Sequence, residues 1–599
     1  MKSIENINKF YVCDLETYTN EPTGVYSWAI YGGENEIAGE VIHTPTNHRE
    51  KDKVCMKNFL NECVKINNKY EKDVVFYFHN LGFDGQFVFD YLLANKWIYL
   101  TDYKQFERHD VQRRFTASIT DLGQFFNIKC FYWQKINGKF KKRTIVFLDS
   151  AKIITCKVSE MKRAFGLTSE YTKGEIDYNN PEHHTNDDIL KYNVQDCRIV
   201  WETLTQLFAN KKYKITKAST CFAEWKEIIG ARRYKQMFYK QYDINIEHIM
   251  RNAYKGGLCL LKNTYRGIDR KNIVLDVNSM YPAQMLYLKR MPYGTPSLYK
   301  GKLPDIENEF YKIYICDFDC EVKENHIPCI LEKAGKAKTK TCVEYKGEYY
   351  CDEVEYGLIE NSYNGRLKIK ETVYFKTCKN DIFTDYINLY YDMKKTAPNK
   401  VIRQIAKDFL NSLYGKFGER TESDMKEPFY DEHRVVRYKS YNADKDGKYL
   451  PIAMVITSSA RRFLIESINR IYDGFIYCDT DSLHIDATKY SLDKVKSLLW
   501  VDNDALGAWK VEHDNADIIH YGEKLYFGES NNKILCASVG LTLEKENEYV
   551  SYKGQKIRYF DVYNTIKAGG IMVLKKKNVK GGCILYDTEY TIKDMGADS

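Results

Sequence analysis

Two acidic clusters that lie far apart in the chain are the residues best suited to chemistry. Asp276 lies in Asp-Val-Asn-Ser-Met-Tyr-Pro, and Asp479 and Asp481 lie in Tyr-Cys-Asp-Thr-Asp-Ser. Each cluster follows a short apolar run, so each is expected where a strand ends. Carboxylates in such positions are good Mg²⁺ ligands, and two Mg²⁺ ions about 3.5–4 Å apart support phosphoryl transfer to a hydroxyl group. The clusters therefore predict a two-metal centre for phosphoryl transfer.

A second group of acidic residues lies near the N-terminus. The run Phe10–Glu16 is typical of a buried strand, and the i, i+2 spacing of Asp14 and Glu16 places both on one face. Another strand-like run, Val74–Asn80, leads to Asp84. An Asp-x-Glu triplet is common by chance, so these residues carry weight only as a set.

A helical segment supplies the last members of that set. Asp187–Trp201 has helical periodicity, which places Tyr192 and Asp196 on one face. With the three preceding carboxylates, Asp196 would form a second two-metal centre suited to phosphodiester hydrolysis, and Tyr192 would orient the attacking water. The alternative is a set of solvated acids and a surface tyrosine.

Composition limits the class of protein. A chain of 599 residues is too long for one hydrophobic core, so several domains are expected. The net charge of +8 fits a nucleic-acid surface but is shared by many ordinary enzymes. The 17 cysteines favour reduced thiols, and Cys316 and Cys320 have a metal-like spacing without a matching second pair. A polar N-terminus and the lack of long apolar runs predict a soluble, intracellular protein.

These segments resemble the motifs of family B DNA polymerases. The N-terminal acids are similar to the three exonuclease motifs of the proofreading domain, and the two downstream clusters are similar to polymerase motifs. Lys407–Lys416 matches the fingers-helix motif Lys-x₃-Asn-Ser-x-Tyr-Gly. Three shorter segments resemble the element that joins the two domains, a template- and primer-contacting element and the Lys-x-Tyr motif that grips the primer end: Tyr254–Gly257, Thr457–Arg461 and Lys524–Tyr526.

The similarity is strongest to the protein-primed subgroup, typified by polymerases of small Bacillus phages with linear genomes. It implies an α/β multidomain fold, with an RNase H-like 3′-5′ exonuclease domain and a right-hand polymerase of palm, fingers and thumb that carries two insertions. In that subgroup one insertion docks the terminal protein, and the other supports strand displacement. The implied domains are the exonuclease domain (1–215), palm (216–287 and 451–535), first insertion (288–383), fingers (384–417), second insertion (418–450) and thumb (536–599).

Two surface features keep alternatives open. Within the second insertion, Arg434–Tyr441 is predicted as one strand of a two-stranded arm that turns at Asn442–Gly447, although a solvated surface hairpin is the alternative. The basic run Lys575–Lys580 is interpreted either as a phosphate contact of the thumb or as a solvated face.

At the polymerase centre, the resemblance implies that Asp276, Val277 and Asp481 hold two Mg²⁺ ions, with Asp479 adjacent; Mn²⁺ is an alternative metal. On a fingers helix, a stripe of two cations, an amide and a phenol would be an unusual core face. Tyr281 would lie under the sugar and exclude a 2′ hydroxyl, unless it is a core aromatic. The residues implied to bind the nucleotide are Val277, Tyr281, Lys395, Arg403, Lys407, Asn411 and Tyr414.

At the editing centre, the resemblance implies that Asp14, Glu16, Asp84 and Asp196 bind metal and that Tyr192 joins them in catalysis. Aromatic rings near Asp84 could stack on an unpaired terminal base, although Phe87 could instead belong to the core. The residues implied to contact DNA at the two centres are His79, Asn80, Phe83, Phe87, Ser150, Lys173, Tyr254, Gly256, Gly257, Ser279, Thr457, Arg461, Lys524 and Tyr526.

The predicted function is a DNA-directed DNA polymerase that replicates a linear phage-type genome by protein priming, with strand displacement and proofreading, in the cytoplasm of a bacterial host. Its predicted partners are primer/template and single-stranded DNA, dNTPs and a terminal protein, and it would be a monomer or a heterodimer with that protein. Two alternatives stay open: a family B polymerase that extends only DNA primers, and a non-catalytic DNA-binding scaffold. Carboxylates at all seven expected positions disfavour the scaffold.

Overall fold

The structure is a computed structural model that describes most of the chain. The described residues are 9–21, 23–42, 48–101, 113–167, 176–177, 180–210, 213–239, 242–304, 309–333, 339–420, 422–444, 447–531, 533–538, 541, 545–546, 549–552, 555–569 and 571–590.

The N-terminal region is a sheet flanked by helices. Its strands are β1 (Phe10–Thr17), β2 (Val25–Tyr31), β3 (Ile37–Val41), β4 (Val75–Phe78), β5 (Ile98–Tyr99), β6 (Arg114–Ile119), β7 (Phe125–Ile136) and β8 (Lys139–Asp149). They lie in the order β3-β2-β1-β4-β8-β7-β6-β5, with β1, β4 and β8 parallel. Its helices are α1 (His48–Asn68), α2 (Leu81–Ala94), α3 (Val158–Phe165) and α4 (Asn186–Asn210). The parallel strand β4 is wholly apolar and buried, and β1 is apolar up to Cys13, as expected for strands in the middle of a sheet covered on both faces.

Three helices lead from this unit to the next strands: α5 (Lys217–Ile229), α6 (Ala231–Met237) and α7 (Ile244–Ala253). They are followed by β9 (Cys259–Leu261), β10 (Asp269–Val277) and α8 (Met280–Tyr287). The indole of Trp225 in α5 is fully buried and stacks on Phe383, while Phe417 meets it edge-on. Burial of one such side chain contributes about 1.5–3 kcal/mol, so this aromatic cluster fixes α5 against the helical region that follows.

The next region inserts a second sheet. Its elements are β11 (Arg290–Lys300), β12 (Phe310–Val322), β13 (Ile330–Lys333), β14 (Thr339–Cys342), β15 (Glu344–Asp352), α9 (Glu353–Ser362) and β16 (Tyr363–Lys379). Four of the strands form an antiparallel sheet in the order β11-β16-β12-β15, and β13 pairs with β14. Two long helices follow, α10 (Thr384–Thr396) and α11 (Lys400–Phe417), and they pack against each other.

A two-stranded arm extends from these helices, and its turn corrects the sequence prediction. The arm consists of β17 (Glu422–Tyr430) and β18 (Val436–Asp444), so the chain turns at Asp431–Val435 rather than at Asn442–Gly447. The Asp431 carboxylate accepts hydrogen bonds from the backbone N–H groups of His433 and Val435, which closes the turn. This local capping outweighs the downstream cluster of turn-forming residues.

The arm is docked rather than solvated. The Tyr430 hydroxyl donates to the Asp90 carboxylate (2.8 Å), and the Tyr438 hydroxyl donates to Oε1 of Gln86 (2.5 Å); both acceptors lie on α2 of the N-terminal unit. Within the last part of the chain, Asn578 also donates to Gln86 Oε1 (2.9 Å). Three separate parts of the sequence therefore meet at Gln86, which contradicts the simple surface hairpin.

The remaining elements complete a third large sheet and a C-terminal unit. They are α12 (Leu450–Arg470), β19 (Phe475–Asp479), β20 (Ser482–Asp486), α13 (Leu492–Leu498), β21 (Trp509–Gly522), β22 (Leu525–Ser530), β23 (Lys533–Ala537), β24 (Lys545–Glu546), β25 (Tyr549–Tyr552), β26 (Gln555–Arg558), α14 (Tyr559–Lys567), β27 (Met572–Val579) and β28 (Gly582–Glu589). The large sheet has the order β23-β22-β21-β10-β20-β19-β9. The basic run around Lys576 belongs to β27, where the Lys576 ammonium donates to the Gly82 carbonyl (2.6 Å) and not to solvent alone.

The three sheets, the helical pair and the arm fall within the domains expected from the sequence, and the domain boundaries themselves stay a prediction. No helix in the described part of the chain is both long enough and apolar enough to cross a membrane. All 17 cysteines are free thiols, and Cys316 and Cys320 are buried in β12.

Candidate active sites

The large sheet brings the two downstream acidic clusters together. Strands β10 and β20 are adjacent and antiparallel, with Asp276 opposite Ser482. Thr480 and Asp481 form the tight turn between β19 and β20, and the Val277 N–H donates to the Asp481 carbonyl (2.8 Å). Asp276 and Asp481 therefore lie side by side at one edge of the sheet, as the spacing predicted.

The two carboxylates share an environment that disfavours their negative charge. Burial and the charge of Asp481 raise the pKa of Asp276 to about 7. Burial also raises the pKa of Asp481, and the charge of Asp479 adds to this effect, whereas the Lys407 ammonium opposes it. Two partly desolvated carboxylates that repel each other are stabilised when a divalent cation binds between them.

Asp479 differs from its two neighbours because it already has a partner. The Lys524 ammonium lies 3.0 Å from its carboxylate. The adjacent Thr480 packs against Gly257, where any side chain would collide with the threonine hydroxyl. The predicted Tyr254–Gly257 segment therefore packs directly against the turn that carries Asp479 and Asp481. Lys524 lies beside the same turn.

Other predicted residues surround this corner. Tyr526 is half-buried, and its ring lies against Tyr477 (5.9 Å between centroids). Tyr526 also lines a small cavity of about 200 Å³ that includes Asp276 and Glu512. Sequence reasoning did not single out Glu512, because it lies on β21, in no predicted motif, and reaches the site only through sheet pairing.

Helix α11 presents the predicted polar stripe on the face opposite its core side. Its buried side chains are Ala406, Phe409, Leu410, Leu413 and Phe417. Lys407 lies on the open face and is exposed, while Tyr414 stacks on Tyr281 with ring centroids 3.9 Å apart. Arg403 and Asn411 lie on the same stripe. The periodicity argument is therefore correct for this helix, and Tyr281 contacts the fingers rather than an apolar core alone.

Helix α10 carries Lys395 beside a second lysine, and the nucleotide contact of Lys395 stays a prediction. The Lys395 side chain is exposed, and its ammonium lies over the Tyr391 ring, 4.7 Å from the centroid. Its neighbour Lys394 is half-buried, and its ammonium lies 3.3 Å from the Ser279 hydroxyl, three residues beyond Asp276. Both ammonium groups lie over the Tyr391 ring, but only that of Lys394 also reaches Ser279.

The predicted DNA contacts of Thr457 and Arg461 do not fit their burial. Both lie on α12 and are at most 4% exposed. The Arg461 guanidinium pairs with Glu355 (2.9 Å) and donates to the carbonyls of Lys255 and Gly256 (2.9 and 2.8 Å). Arg461 therefore holds the segment Tyr254–Gly257 in place, and its side chain is not exposed on a surface that could contact DNA.

A buried carboxylate from the inserted sheet completes that arrangement. Glu355 on α9 is 1% exposed and also lies 3.1 Å from the Lys255 ammonium. Removing one member of a buried ion network leaves the others uncompensated, which typically costs about 3–5 kcal/mol. No sequence signal identified Glu355, because Lys255 and Arg461 come from two distant segments.

The N-terminal sheet gathers the second acidic group. Asp14 and Glu16 lie near the end of β1, Asp84 on α2 and Asp196 on α4; all four line one cleft of about 230 Å³. Burial raises the pKa of Asp14 well above its usual range, and the charges of Glu16, Asp84 and Asp196 raise it further. Burial raises the pKa of Asp84 to about 8. The predicted set of four carboxylates is therefore one cluster.

Asp149 is a neighbour of this cluster that the sequence did not assign. Its carboxylate accepts the backbone N–H groups of Asn80 (3.1 Å) and Ala151 (3.0 Å), and its charge adds to the rise in the pKa of Asp84. Asn80 itself has the left-handed conformation (φ 83°) just before α2, a strained position for a non-glycine residue. Asp149 thus holds the Asn80 backbone beside the cleft.

The predicted DNA contacts of this cleft divide into two groups. His79, Asn80 and Phe83 line the cleft, as predicted. Ser150 is fully buried and hydrogen-bonds to His79 (2.9 Å), and Phe87 is 1% exposed within the core. Those two predictions are corrected: Ser150 supports His79, and Phe87 is a packing residue.

Two further predictions stand apart. Tyr192 lies one turn before Asp196 on α4 but is buried, and it is not among the residues that line the cleft. Lys173 lies outside the described residues.

The donor sets of both centres are carboxylates, the ligands that Mg²⁺ prefers. Within the described residues, however, no three His, Cys, Asp or Glu side chains are already arranged to hold one ion.

Comparison with known proteins decides the family. Residues 65–497 match the family described as DNA polymerase type B, organellar and viral. The chain belongs to this family. This type B polymerase is 29% identical to the DNA polymerases of Bacillus phages PZA and phi29, over 98% of its own length and 100% and 99% of theirs.

A solved structure agrees with the sequence comparison. It contains phi29 DNA polymerase complexed with primer-template DNA and incoming nucleotide substrates. The type B polymerase described here aligns with it at a TM-score of 0.81 and 25% identity, over 98% of this chain and 100% of that one. The resemblance to polymerases of small Bacillus phages, the α/β exonuclease-plus-polymerase fold and the assignment as a DNA-directed DNA polymerase are confirmed. Members of the family generally use divalent metal ions.

Proposed function

We propose that this polymerase copies a linear phage-type genome from a terminal protein that serves as primer, displaces the opposite strand and proofreads with a 3′-5′ exonuclease. The observation that carries the two activities is the separation of buried carboxylates into two groups on different sheets. Asp276 and Asp481 form one group. Asp14 and its three carboxylate neighbours form the other.

At the first centre the chain positions the primer end and the incoming dNTP. Bound Mg²⁺ would activate the primer hydroxyl and stabilise charge on the departing pyrophosphate. Asp276 and Asp481 would hold the ions with the Val277 backbone, and Lys407 on the open face of α11 would neutralise charge on the triphosphate. Tyr281 and Tyr414 form the aromatic wall of the nucleotide pocket.

At the second centre the chain positions an unpaired 3′ end for hydrolysis. Asp14, Glu16, Asp84 and Asp196 would hold the divalent ions that activate water there. Phe83 is half-buried at the cleft and offers a stacking surface to a terminal base, which is worth about 1–3 kcal/mol. His79 and Asn80 add polar contacts beside it.

The inserted sheet and the arm support the remaining parts of the proposal. Full-length similarity to polymerases of phages, including both insertions, favours protein priming in the cytoplasm of a bacterial host. The inserted sheet contacts the palm through Glu355 and would dock the terminal protein. The arm, which Tyr430 and Tyr438 attach to α2, would separate the DNA strands ahead of the polymerase centre.

Protein priming is tested by incubating the purified polymerase, Mg²⁺ and labelled dNTPs with the terminal protein of the same genome. We expect the label to become covalently attached to that protein in the absence of any DNA primer. Extension of a DNA primer without such labelling would favour the DNA-primed alternative. A sample with neither extension nor 3′ degradation would favour the non-catalytic scaffold.

Strand displacement is tested by rolling-circle synthesis on a primed single-stranded circle without helicase or clamp. We expect products longer than the circle. The pair Tyr430→Phe and Tyr438→Phe leaves the arm in place but removes both hydroxyl contacts to α2, so it should shorten these products while preserving the first lap. Products that stop at one circle length with the unmodified protein would exclude displacement.

A further inference from the structure

The middle of the fingers helix α11 packs against the N-terminal unit through aromatic rings. The Phe409 ring meets the buried Tyr213 ring edge-on, with centroids 5.9 Å apart. Tyr213 packs in turn on Phe208 of α4, at 5.6 Å. Asp408, beside Phe409, pairs with Lys217 of α5. Buried packing and an ion pair therefore anchor α11 at its centre.

The start of α11 contacts the same unit through one exposed side chain. Asn399 is the N-cap of α11, and its Oδ1 accepts the backbone N–H groups of Val401 and Ile402, both at 3.0 Å. Its Nδ2 donates to the Ala164 carbonyl (3.0 Å). This carbonyl lies in the last turn of α3, where the helix itself supplies no N–H. One side chain thus caps the fingers helix and fastens it to α3.

The two helices joined at this point belong to different centres. Helix α3 begins at Val158, which lines the editing cleft. The first half of α11 carries Arg403 and Lys407 on its polar stripe. The charge of Lys407 opposes the rise in the pKa of Asp276 and Asp481, so this half of the helix faces the polymerase centre. The contact therefore connects a wall of one centre with a wall of the other.

We propose that Asn399 is a positioning residue that fastens the fingers to the editing unit and so holds the first half of α11 toward the polymerase centre. The packing at Phe409 acts as a pivot, and Asn399 lies ten residues away, about 15 Å along the helix. Because the Asn399 side chain is exposed, its bond can break without opening a core. The inference rests on the two centres assigned above.

Loss of this bond would change the balance between synthesis and editing. With its first half released, α11 presents its polar stripe to the incoming nucleotide for a smaller fraction of the time. At low dNTP concentration the primer end then waits longer for a nucleotide and is open to degradation for longer. At saturating dNTP the nucleotide itself holds the helix in place, and the balance returns to its original value.

The experiment uses Asn399→Asp, which keeps the capping oxygen and removes the donor to Ala164. Single-nucleotide incorporation is measured on a DNA primer/template with Mg²⁺. Because a neutral hydrogen bond changes an equilibrium by about two- to tenfold, we expect KM for each dNTP to rise by that factor and kcat to stay within about twofold. Below KM, the dNMP released per nucleotide incorporated should rise by a similar factor. Degradation of single-stranded DNA should be unchanged.

Two further variants separate the contact from other effects. Asn399→Ser also keeps a capping oxygen but is too short to reach the Ala164 carbonyl, so it should raise KM as well. Asn95→Asp is the matched control, because it removes an exposed amide bond to the Tyr91 carbonyl (2.8 Å) within the editing unit alone. It should leave KM and the ratio of excision to incorporation unchanged.

The outcomes are distinct once degradation of single strands shows that each variant is folded. Unchanged KM in both Asn399 variants would overturn the proposal, as would a fall in kcat without a rise in KM. A rise in KM for the serine variant beside a folded, unaffected aspartate variant would also overturn it, because it would reveal loss of capping. An unmodified protein that extends no primer would contradict the polymerase assignment rather than the role of Asn399.

Discussion

The rings of Tyr281 and Tyr414 stack with their centroids 3.9 Å apart and their planes inclined by 24°. One ring belongs to α8 behind the acidic corner, and the other belongs to α11 of the fingers. The contact joins the two walls of the proposed nucleotide pocket. It also fixes the Tyr281 ring, beside which we propose that the sugar of the nucleotide binds.

Tyr281→Val should therefore weaken discrimination against ribonucleotides. Removing the ring opens space for the 2′ hydroxyl, and we expect the preference for dNTPs over NTPs to fall by about 10²-fold. Tyr281→Phe keeps the ring and should retain most of the preference. The measurement is the ratio of kcat/KM for dCTP and CTP, and an unchanged ratio in the valine variant would show that the sugar lies elsewhere.

Asp481→Ala should abolish nucleotide incorporation and preserve 3′ degradation of single strands. The carboxylate shares one sheet edge with Asp276 and lies on a different sheet from the editing cleft. Both activities can be followed on one gel with labelled primers and Mg²⁺. Asp473→Ala, which removes an exposed aspartate of the same region, is the matched control. Loss of both activities in a folded Asp481 variant would refute the division into two centres.

The converse variant combines Asp14→Ala and Glu16→Ala. We expect degradation of single strands to fall to background and primer extension to remain, because both carboxylates line the N-terminal cleft, where the charge of Glu16 raises the pKa of Asp14, and this cleft lies on a different sheet from Asp276 and Asp481. Misincorporated nucleotides should then persist in the products. Editing at the original rate in this double variant would remove the N-terminal assignment.

Glu355→Leu should destabilise the fold and weaken binding of primer/template. It leaves the buried charges of Arg461 and Lys255 without their shared carboxylate, at a cost of about 3–5 kcal/mol. The combination Glu355→Leu with Arg461→Leu removes both charges of the closest pair and should be less destabilising than the two single losses added together. Thermal unfolding midpoints and DNA titrations of the three variants measure this coupling, and simple additivity would argue against it.

The sequence correctly predicted those site residues whose positions follow from a single strand or helix. Acidic residues beside strand ends identified Asp276 and Asp481, because antiparallel pairing brings the end of β10 next to the start of β20. The helical period correctly placed Lys407 on the open face of α11. Both inferences use only local information: the residue types at the end of one strand and the 3.6-residue period of one helix.

It failed where contacts between distant segments decide a residue's role. Arg461 is a cation in a motif that resembles a DNA-contacting element. In the structure, however, it is enclosed by α9 and the Lys255 backbone, and the sequence alone does not show which segment covers it. The turn of the arm depends on the Asp431 carboxylate rather than on the richer turn composition downstream.

The most direct test of the central claim is a crystal soaked in Mn²⁺ and measured at the manganese absorption edge. We expect anomalous peaks at two separate places, one bounded by Asp276 and Asp481 and one bounded by Asp14, Glu16 and Asp84. Peaks at neither place, or an Asp276 carboxylate turned away from Asp481 with no ion between them, would contradict the account of two metal-dependent centres.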